Sequence, residues 1–206
     1  MKVLIINGSP NHNGCTFTAL SEVAKEIEKD GVNVEWLHIG TKPVRGCIGC
    51  RKCQTHTGCI FDDDICNEIG EKILAADGVI VGSPVYFSGP NGALCALLDR
   101  VFYSNMGKFK HKPAACVVSC RRGGASAAFD RLNKYFTIAQ MPVISSQYWN
   151  AVHGNKPEQV LKDAEGLQIM RVLGRNMAWL LKNIKSGSPP PQPESTREFT
   201  CFHDGK

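Results

Sequence analysis

A doubly wound α/β fold, with helices on both faces of a parallel sheet, is the architecture this sequence predicts. Three observations predict it. Short apolar, β-branched runs alternate along the chain with amphipathic stretches of helical length. The first run, residues 3–6, is apolar without a break, the mark of a strand covered on both faces. Loops rich in Gly, Ser and Pro follow several of the runs and open directly into helices, as βαβ units require.

Taken in order, residues 3–6 (Val-Leu-Ile-Ile) form a buried strand that ends in Asn-Gly-Ser-Pro. Residues 16–30 carry Phe17, Leu20, Val23, Ala24 and Ile27 at helical spacing, and Gly31 stops that helix. Residues 32–39 alternate enough for a second strand. A cysteine-rich loop at 46–62 leads to a helix over 63–74. The third strand is 78–82, followed by a helix at 91–102. The fourth strand is 114–119, followed by a helix at 126–139. The fifth strand is 141–145, and one last helix runs from 158 to 182. Five such strands fit the flavodoxin-like doubly wound five-stranded parallel sheet. Residues 1–185 then make one domain, and 186–206, with Ser-Gly-Ser-Pro-Pro-Pro-Gln-Pro, an extended C-terminal tail.

Composition narrows the function classes. At 206 residues, 43% apolar and 21% charged, the chain supports one domain with a full core. The net charge of +5 is scattered and reads as a solvated surface, which argues against a nucleic-acid partner. No apolar run spans a bilayer, and the N-terminal run stops at Asn7, too short for an export signal. A cytoplasmic protein without a membrane partner is expected. In that compartment ten cysteines point to thiolate ligands or buried thiols rather than a disulfide framework. Cys95 and Cys116, in apolar surroundings, read as core residues.

Three loops lie where a doubly wound sheet binds ligands, at the carboxyl ends of strands. The first, residues 7–16, opens a helix whose unpaired N–H groups attract an anion. Ser9 and Thr16 add hydroxyls, and Cys15, Thr16 and Phe17 add backbone N–H groups. It has neither a Walker A lysine nor a three-glycine dinucleotide fingerprint, which favours a terminal monophosphate. The plainer alternative is a strand-to-helix turn with Thr16 as N-cap. The second loop, Ser83-Pro84-Val85-Tyr86-Phe87-Ser88-Gly89, suits the edge of a flat ring, or else Tyr86 and Phe87 plug the core. The third, Ser119-Cys120-Arg121-Arg122-Gly123-Gly124, brings two guanidinium groups to a helix start. They either stabilise negative charge on a reduced flavin or bind a nicotinamide cofactor's phosphate, or are plain surface arginines.

Cys47, Cys50, Cys53 and Cys59 have the spacing C-x2-C-x2-C-x5-C. Four thiolates suit zinc or an iron–sulfur cluster. Structural zinc sites use two separated knuckles, whereas three cysteines at successive x2 spacing are like the ferredoxin run. No Pro follows Cys59, and Arg51, Lys52 and His56 make the loop polar, so cluster, zinc and no metal all remain open. Cys66 reads as a helix residue rather than a ligand.

Together the three loops resemble the NAD(P)H-dependent FMN reductase and flavodoxin-like family, and with the four cysteines the chain is similar to its iron–sulfur flavoproteins. Cys15 stands where that family's phosphate loop has Asn. The resemblance implies FMN, with its phosphate on Ser9, Asn11, Cys15, Thr16 and Phe17. Its ring would lie on Pro84, Val85, Tyr86 and Phe87, with Ser119, Arg121, Arg122, Gly123 and Gly124 over the far side. It implies a four-iron four-sulfur cluster on Cys47, Cys50, Cys53 and Cys59, NAD(P)H as co-substrate, and a homodimer or homotetramer. Related flavin reductases keep several of these cysteines without metal. Tyr148 to Gly154 would follow strand five, with Asn150 and His153 near the ring or packed for structure. His153 and Tyr86 are the candidates for handling a proton.

The expected activity is transfer of electrons from NAD(P)H to a quinone, a flavin, a nitro or azo compound, or the cluster. The rival readings are a flavin and iron–sulfur carrier that serves a redox protein, and a zinc-stabilised interaction domain with no flavin.

Overall fold

The computed structural model describes residues 1–192 and residue 200. Its parallel strands are β1 (Lys2–Asn7), β2 (Asn33–His38), β3 (Gly78–Tyr86), β5 (Ala114–Cys120) and β6 (Ala151–His153). A two-residue strand, β4 (Gly89–Pro90), turns back antiparallel on β3. The parallel strands lie side by side in the order β2-β1-β3-β5-β6. Counting those strands alone, this is the 2-1-3-4-5 order of a flavodoxin-like sheet.

The pleat of β1 divides the core in two. Leu4 and Ile6 point to one face, where α2 (Cys66–Ala75), α3 (Gly92–Ser104) and α4 (Ala125–Ile138) supply Ile69, Leu97 and Phe136. Val3 and Ile5 point to the other, where α1 (Cys15–Lys29) and α6 (Ala164–Ser186) supply Leu20, Val23 and Leu173. Because side chains alternate with period two, only an unbroken apolar run can fill both layers.

Three expectations need correction. The third strand does not end at 82. It continues to Tyr86 and folds back through Phe87 and Ser88, both with left-handed backbone (φ 49° and 60°), the twist a tight hairpin turn demands. The fifth strand is not 141–145. Pro142 has no N–H to give, and this stretch makes only one bridge, Val143 to Ala114, before leaving the sheet. The chain rejoins β5 at β6, so part of the supposed loop 148–154 is strand. The last helix is broken: a short α5 (Pro157–Val160) precedes α6, and the Asp163 carboxylate caps α6 by accepting from the Gly166 N–H at 3.0 Å. The cysteine stretch is loop, as expected, with one 3-10 turn at Lys52–Gln54. Cys116 is fully buried and Cys95 half-buried. Helix α6 includes Ser186, where the expected tail begins, and residues 188–192 beyond it are exposed and irregular. Residues 193–199 and 201–206 lie outside the described residues.

The first loop passes close to β3 at Gly8, whose N–H donates to the Gly82 carbonyl at 2.8 Å. A Cβ at position 8 would stand 2.5 Å from Leu94 Cδ2 and 2.6 Å from the Gly82 oxygen. Overpacking of this kind costs about 1–3 kcal/mol, so Gly8→Ala is expected to lower Tm by roughly 2–12 °C. Calorimetry checks this, and an unchanged Tm contradicts the close approach.

Candidate functional site

Helix α1 begins at Cys15 behind Gly14, with no side chain capping it and no acid in its first turn. The first-turn N–H groups are therefore left without a side-chain partner, at the positive end of a fifteen-residue helix. The loop before it is held in shape by side chains. Asn7 accepts from the Ser9 N–H (3.1 Å) and donates to the His12 carbonyl (3.1 Å). His38 Nε2 donates to the Ser9 carbonyl at 2.7 Å. Ser9 Oγ accepts from the Asn11 N–H at 3.1 Å. Thr16 is buried within the helix rather than capping it, and its hydroxyl shares a 2.8 Å hydrogen bond with that of Ser119 at the end of β5. Both hydroxyls brace the loop against the sheet.

Asn91, the N-cap of α3, links the first loop to the hairpin. Its Nδ2 donates to the Gly8 carbonyl at 2.8 Å, and its own N–H donates to Ser83 Oγ at 2.9 Å. Phe87 at the hairpin tip is fully exposed and Tyr86 is 44% exposed, so neither plugs the core. Pro84 and Val85 lie within β3 behind that tip. The third loop packs on the hairpin at Gly124, where φ is 85° and a Cβ would stand 2.8 Å from Ser88 Cα. Arg121, Arg122 and Gly123 are exposed. Beyond them opens a cavity of about 380 Å³ lined by Arg122, Gly123, Gly124, Tyr148, Trp149 and His153. His153 Nδ1 is 3.6 Å from the Asp163 carboxylate, and its backbone N–H donates to the same group at 2.7 Å. Cys15 Sγ approaches the Gly154 carbonyl at 3.6 Å, so this segment also borders the first loop. Asn150 is buried away from the cavity wall, with Nδ2 donating to the Cys116 carbonyl. Tyr86 lies outside the cavity that His153 faces.

All four loop cysteines, Cys47, Cys50, Cys53 and Cys59, line one hollow. Burial raises the Cys53 thiol's pKa, and the neighbouring Cys50, Cys59 and Cys47 raise it further, as close thiols must. Ile48, Ile60 and Phe61 give the hollow apolar walls, and Arg100 from α3 opens onto it. Among the described residues no three His, Cys, Asp or Glu side chains converge as ligands of one metal ion. The hollow is about 20 Å³, room for one water-sized sphere, so a larger group seats only if the loop moves outward. Cys47 and Cys50 are on the exposed side. The donor set, four thiols around a shared space with a cation beside it, is of the kind an iron–sulfur cluster takes. Cys66 sits behind, buried, its thiol pushed up to about 12 chiefly by that burial.

Sequence reasoning missed Asn7, His38, Ser83 and Asn91, which shape the loops, and Arg100, which anchors the cysteines. Asn7 and Asn91 were legible as turn and cap residues at strand and helix ends. For Arg100 and His38 no local pattern signals the role.

The sheet order and its loops define a flavodoxin-like protein. The chain belongs to the NADPH-dependent FMN reductase family, which it matches over residues 1–156. An iron-sulfur flavoprotein of Methanocaldococcus jannaschii is 33% identical over 193 residues, covering 90% of this chain and all of the relative. Among solved structures, a flavone reductase superposes with a TM-score of 0.71 at 18% identity, over 90% of this chain and 64% of that one. An archaeal flavodoxin does so with a TM-score of 0.61 at 16% identity, over 88% of this chain and 99% of that one. Among the described residues no helix is long and apolar enough to cross a membrane.

Thiol accessibility should follow this arrangement. Among the described cysteines, alkylation of metal-free folded protein at pH 8 is expected to label Cys47 and Cys50 first. Cys66 and Cys116, whose burial keeps them protonated, are expected to stay at least tenfold slower. Peptide mass spectrometry reads the order, and early labelling of Cys116 contradicts it.

Proposed function

We propose that this chain is an FMN-dependent oxidoreductase that takes electrons from NAD(P)H and reduces a quinone, a flavin or another small acceptor. The single observation that carries the proposal is the capless start of α1 at the end of a loop held in place by Asn7, His38 and Asn91. Bound FMN supplies hydride acceptance and its return in one- or two-electron steps, while the protein supplies orientation and electrostatics.

In this reading the N–H groups of Cys15, Thr16 and Phe17, with Ser9 and Asn11, hold the phosphate. Thr16 and Ser119 brace that loop through their shared hydrogen bond. Pro84, Val85, Tyr86 and Phe87 carry the ring edge. Arg121 and Arg122, with Gly123 and Gly124, bring positive charge and close backbone approach beside it. His153, half-exposed and steadied by Asp163, holds a proton for the acceptor. The 380 Å³ cavity beside it favours a small acceptor over a redox protein. The exposed Phe87, Tyr148 and Trp149 suit contact with a second copy of the chain, giving a homo-oligomer. Residues 1–185 act as the flavin domain.

The cysteine loop, by the same proposal, holds a four-iron four-sulfur cluster on Cys47, Cys50, Cys53 and Cys59, which would store one electron. The name iron-sulfur flavoprotein, which the 33% identical relative carries, supports this over zinc.

The test is anaerobic purification, NADPH oxidation with a benzoquinone, and one substitution. Gly14→Asp places a carboxylate at the N-cap, where it takes up first-turn N–H groups; an N-cap Asp exceeds Gly by only a few tenths of a kcal/mol, against a Cβ 3.1 Å from Asn11 Cβ. The flavin-free variant is expected to melt close to wild type, to bind FMN at least tenfold more weakly, and to lose quinone reduction in proportion. Unchanged FMN affinity contradicts the assignment.

A further inference from the structure

Arg100 is a full positive charge whose side chain is only 1% exposed on α3, and it spends its donors on four groups. Nε donates to Cys59 Sγ at 3.3 Å. One terminal nitrogen donates to the Arg45 carbonyl at 3.1 Å and to the Asp64 carboxylate. The other donates to the Phe61 carbonyl at 3.1 Å. Burial works against the charge, but Asp64 and Cys59 outweigh it, so its pKa is raised. Holding the loop would need only the two carbonyls and Asp64. The bond to sulfur is additional, and it puts a desolvated cation on the wall of the hollow that the four cysteines share.

We propose that Arg100 sets the reduction potential of the cysteine site, and that Asp64 moderates it. This rests on the reading of Cys47, Cys50, Cys53 and Cys59 as cluster ligands. A four-iron cluster with four thiolates is negative in both of its ordinary states. One-electron reduction adds a further negative charge, with no bond made or broken. A buried cation in contact favours the more negative state, and an N–H donated to a ligand sulfur does the same. Arg100 therefore raises the potential. Asp64 draws off part of the guanidinium's field and lowers it.

The two residues should thus act with opposite sign, which a purely structural role would not give. Loss of either anchor would loosen the same loop and admit water to the same cluster, moving the potential one way in both variants. Wild type, Arg100→Met, Arg100→Lys and Asp64→Asn are loaded anaerobically with iron and sulfide. FMN content reports the fold, iron and sulfide per chain report loading, and a dithionite titration followed by electron paramagnetic resonance reports the midpoint. Arg100→Met is expected to lower the reduction equilibrium constant at least tenfold, about 59 mV for one electron. Arg100→Lys is expected to recover most of that shift, and Asp64→Asn to move the midpoint upward.

A loaded Arg100→Met chain within threefold of wild type overturns the role of Arg100, as do shifts of the same sign in Arg100→Met and Asp64→Asn. Should Arg100→Met lose FMN or fail to load, Asp64→Asn decides: a raised midpoint supports the proposal and an unchanged or lowered one overturns it. Wild type that takes up neither iron nor sulfide overturns the cluster reading and this role with it. A loaded wild type with unresponsive variants overturns this role alone.

Discussion

A helix that begins without a cap is the constraint around which this molecule is arranged. An N-terminus with unpaired N–H groups is ordinarily satisfied by a Ser, Thr, Asp or Asn side chain. Here Gly14 stands in that place, and Thr16, two residues further on, turns its hydroxyl to Ser119. The neighbouring polar side chains are likewise committed to holding loops: Asn7 and His38 to the first loop, Asn91 to the seam between that loop and the hairpin. The result is a preformed arrangement of donors at the carboxyl end of β1, where the sheet order reverses and a doubly wound fold binds its ligand.

The cysteine loop obeys a different physics. It has little regular structure of its own, and it is held by the Asn67 amide, which bonds to Cys59 and Phe61, and by one buried cation. Arg100 bonds to both ends of the segment, at Arg45 and at Phe61, and reaches Cys59 between them. Arg45 stacks on Phe61 at 4.4 Å and pairs with Asp63 at 2.8 Å, closing the same circuit from outside. Removing one partner from a buried pair such as Arg100–Asp64 typically costs about 3–5 kcal/mol, so the loop and the sheet-packing helix α3 stand or fall together.

How much was legible in the sequence depends on how local each signal was. The apolar run of β1, the period of α1 and the glycine-rich third loop are local, and the structure has them within a residue or two. The four thiols of the cysteine run line one hollow. The misreadings are non-local. Residues 141–145 have a strand's composition, but Pro142 limits their pairing, and the regular strand forms at Ala151–His153, where the hydrogen bonds of β5 remain to be met. Ser83-Pro84 predicts the end of the third strand, because proline usually closes a strand, whereas β3 runs on and β4 pairs only its far end. Phe87, whose residue type suits either the edge of a flat ring or a core plug, stands fully exposed at the hairpin tip, which leaves out the plug. Arg100 was unreadable because its partners lie 36 to 55 residues away in the chain.

The central claim is that the phosphate of FMN is what the start of α1 recognises. Calorimetric titration of the flavin-free chain with FMN and with riboflavin, which differ only in that phosphate, tests it directly. Charge-assisted hydrogen bonds contribute about 1.5–3 kcal/mol each, so the account predicts that FMN binds at least tenfold more tightly than riboflavin. Equal affinity for the two would contradict it.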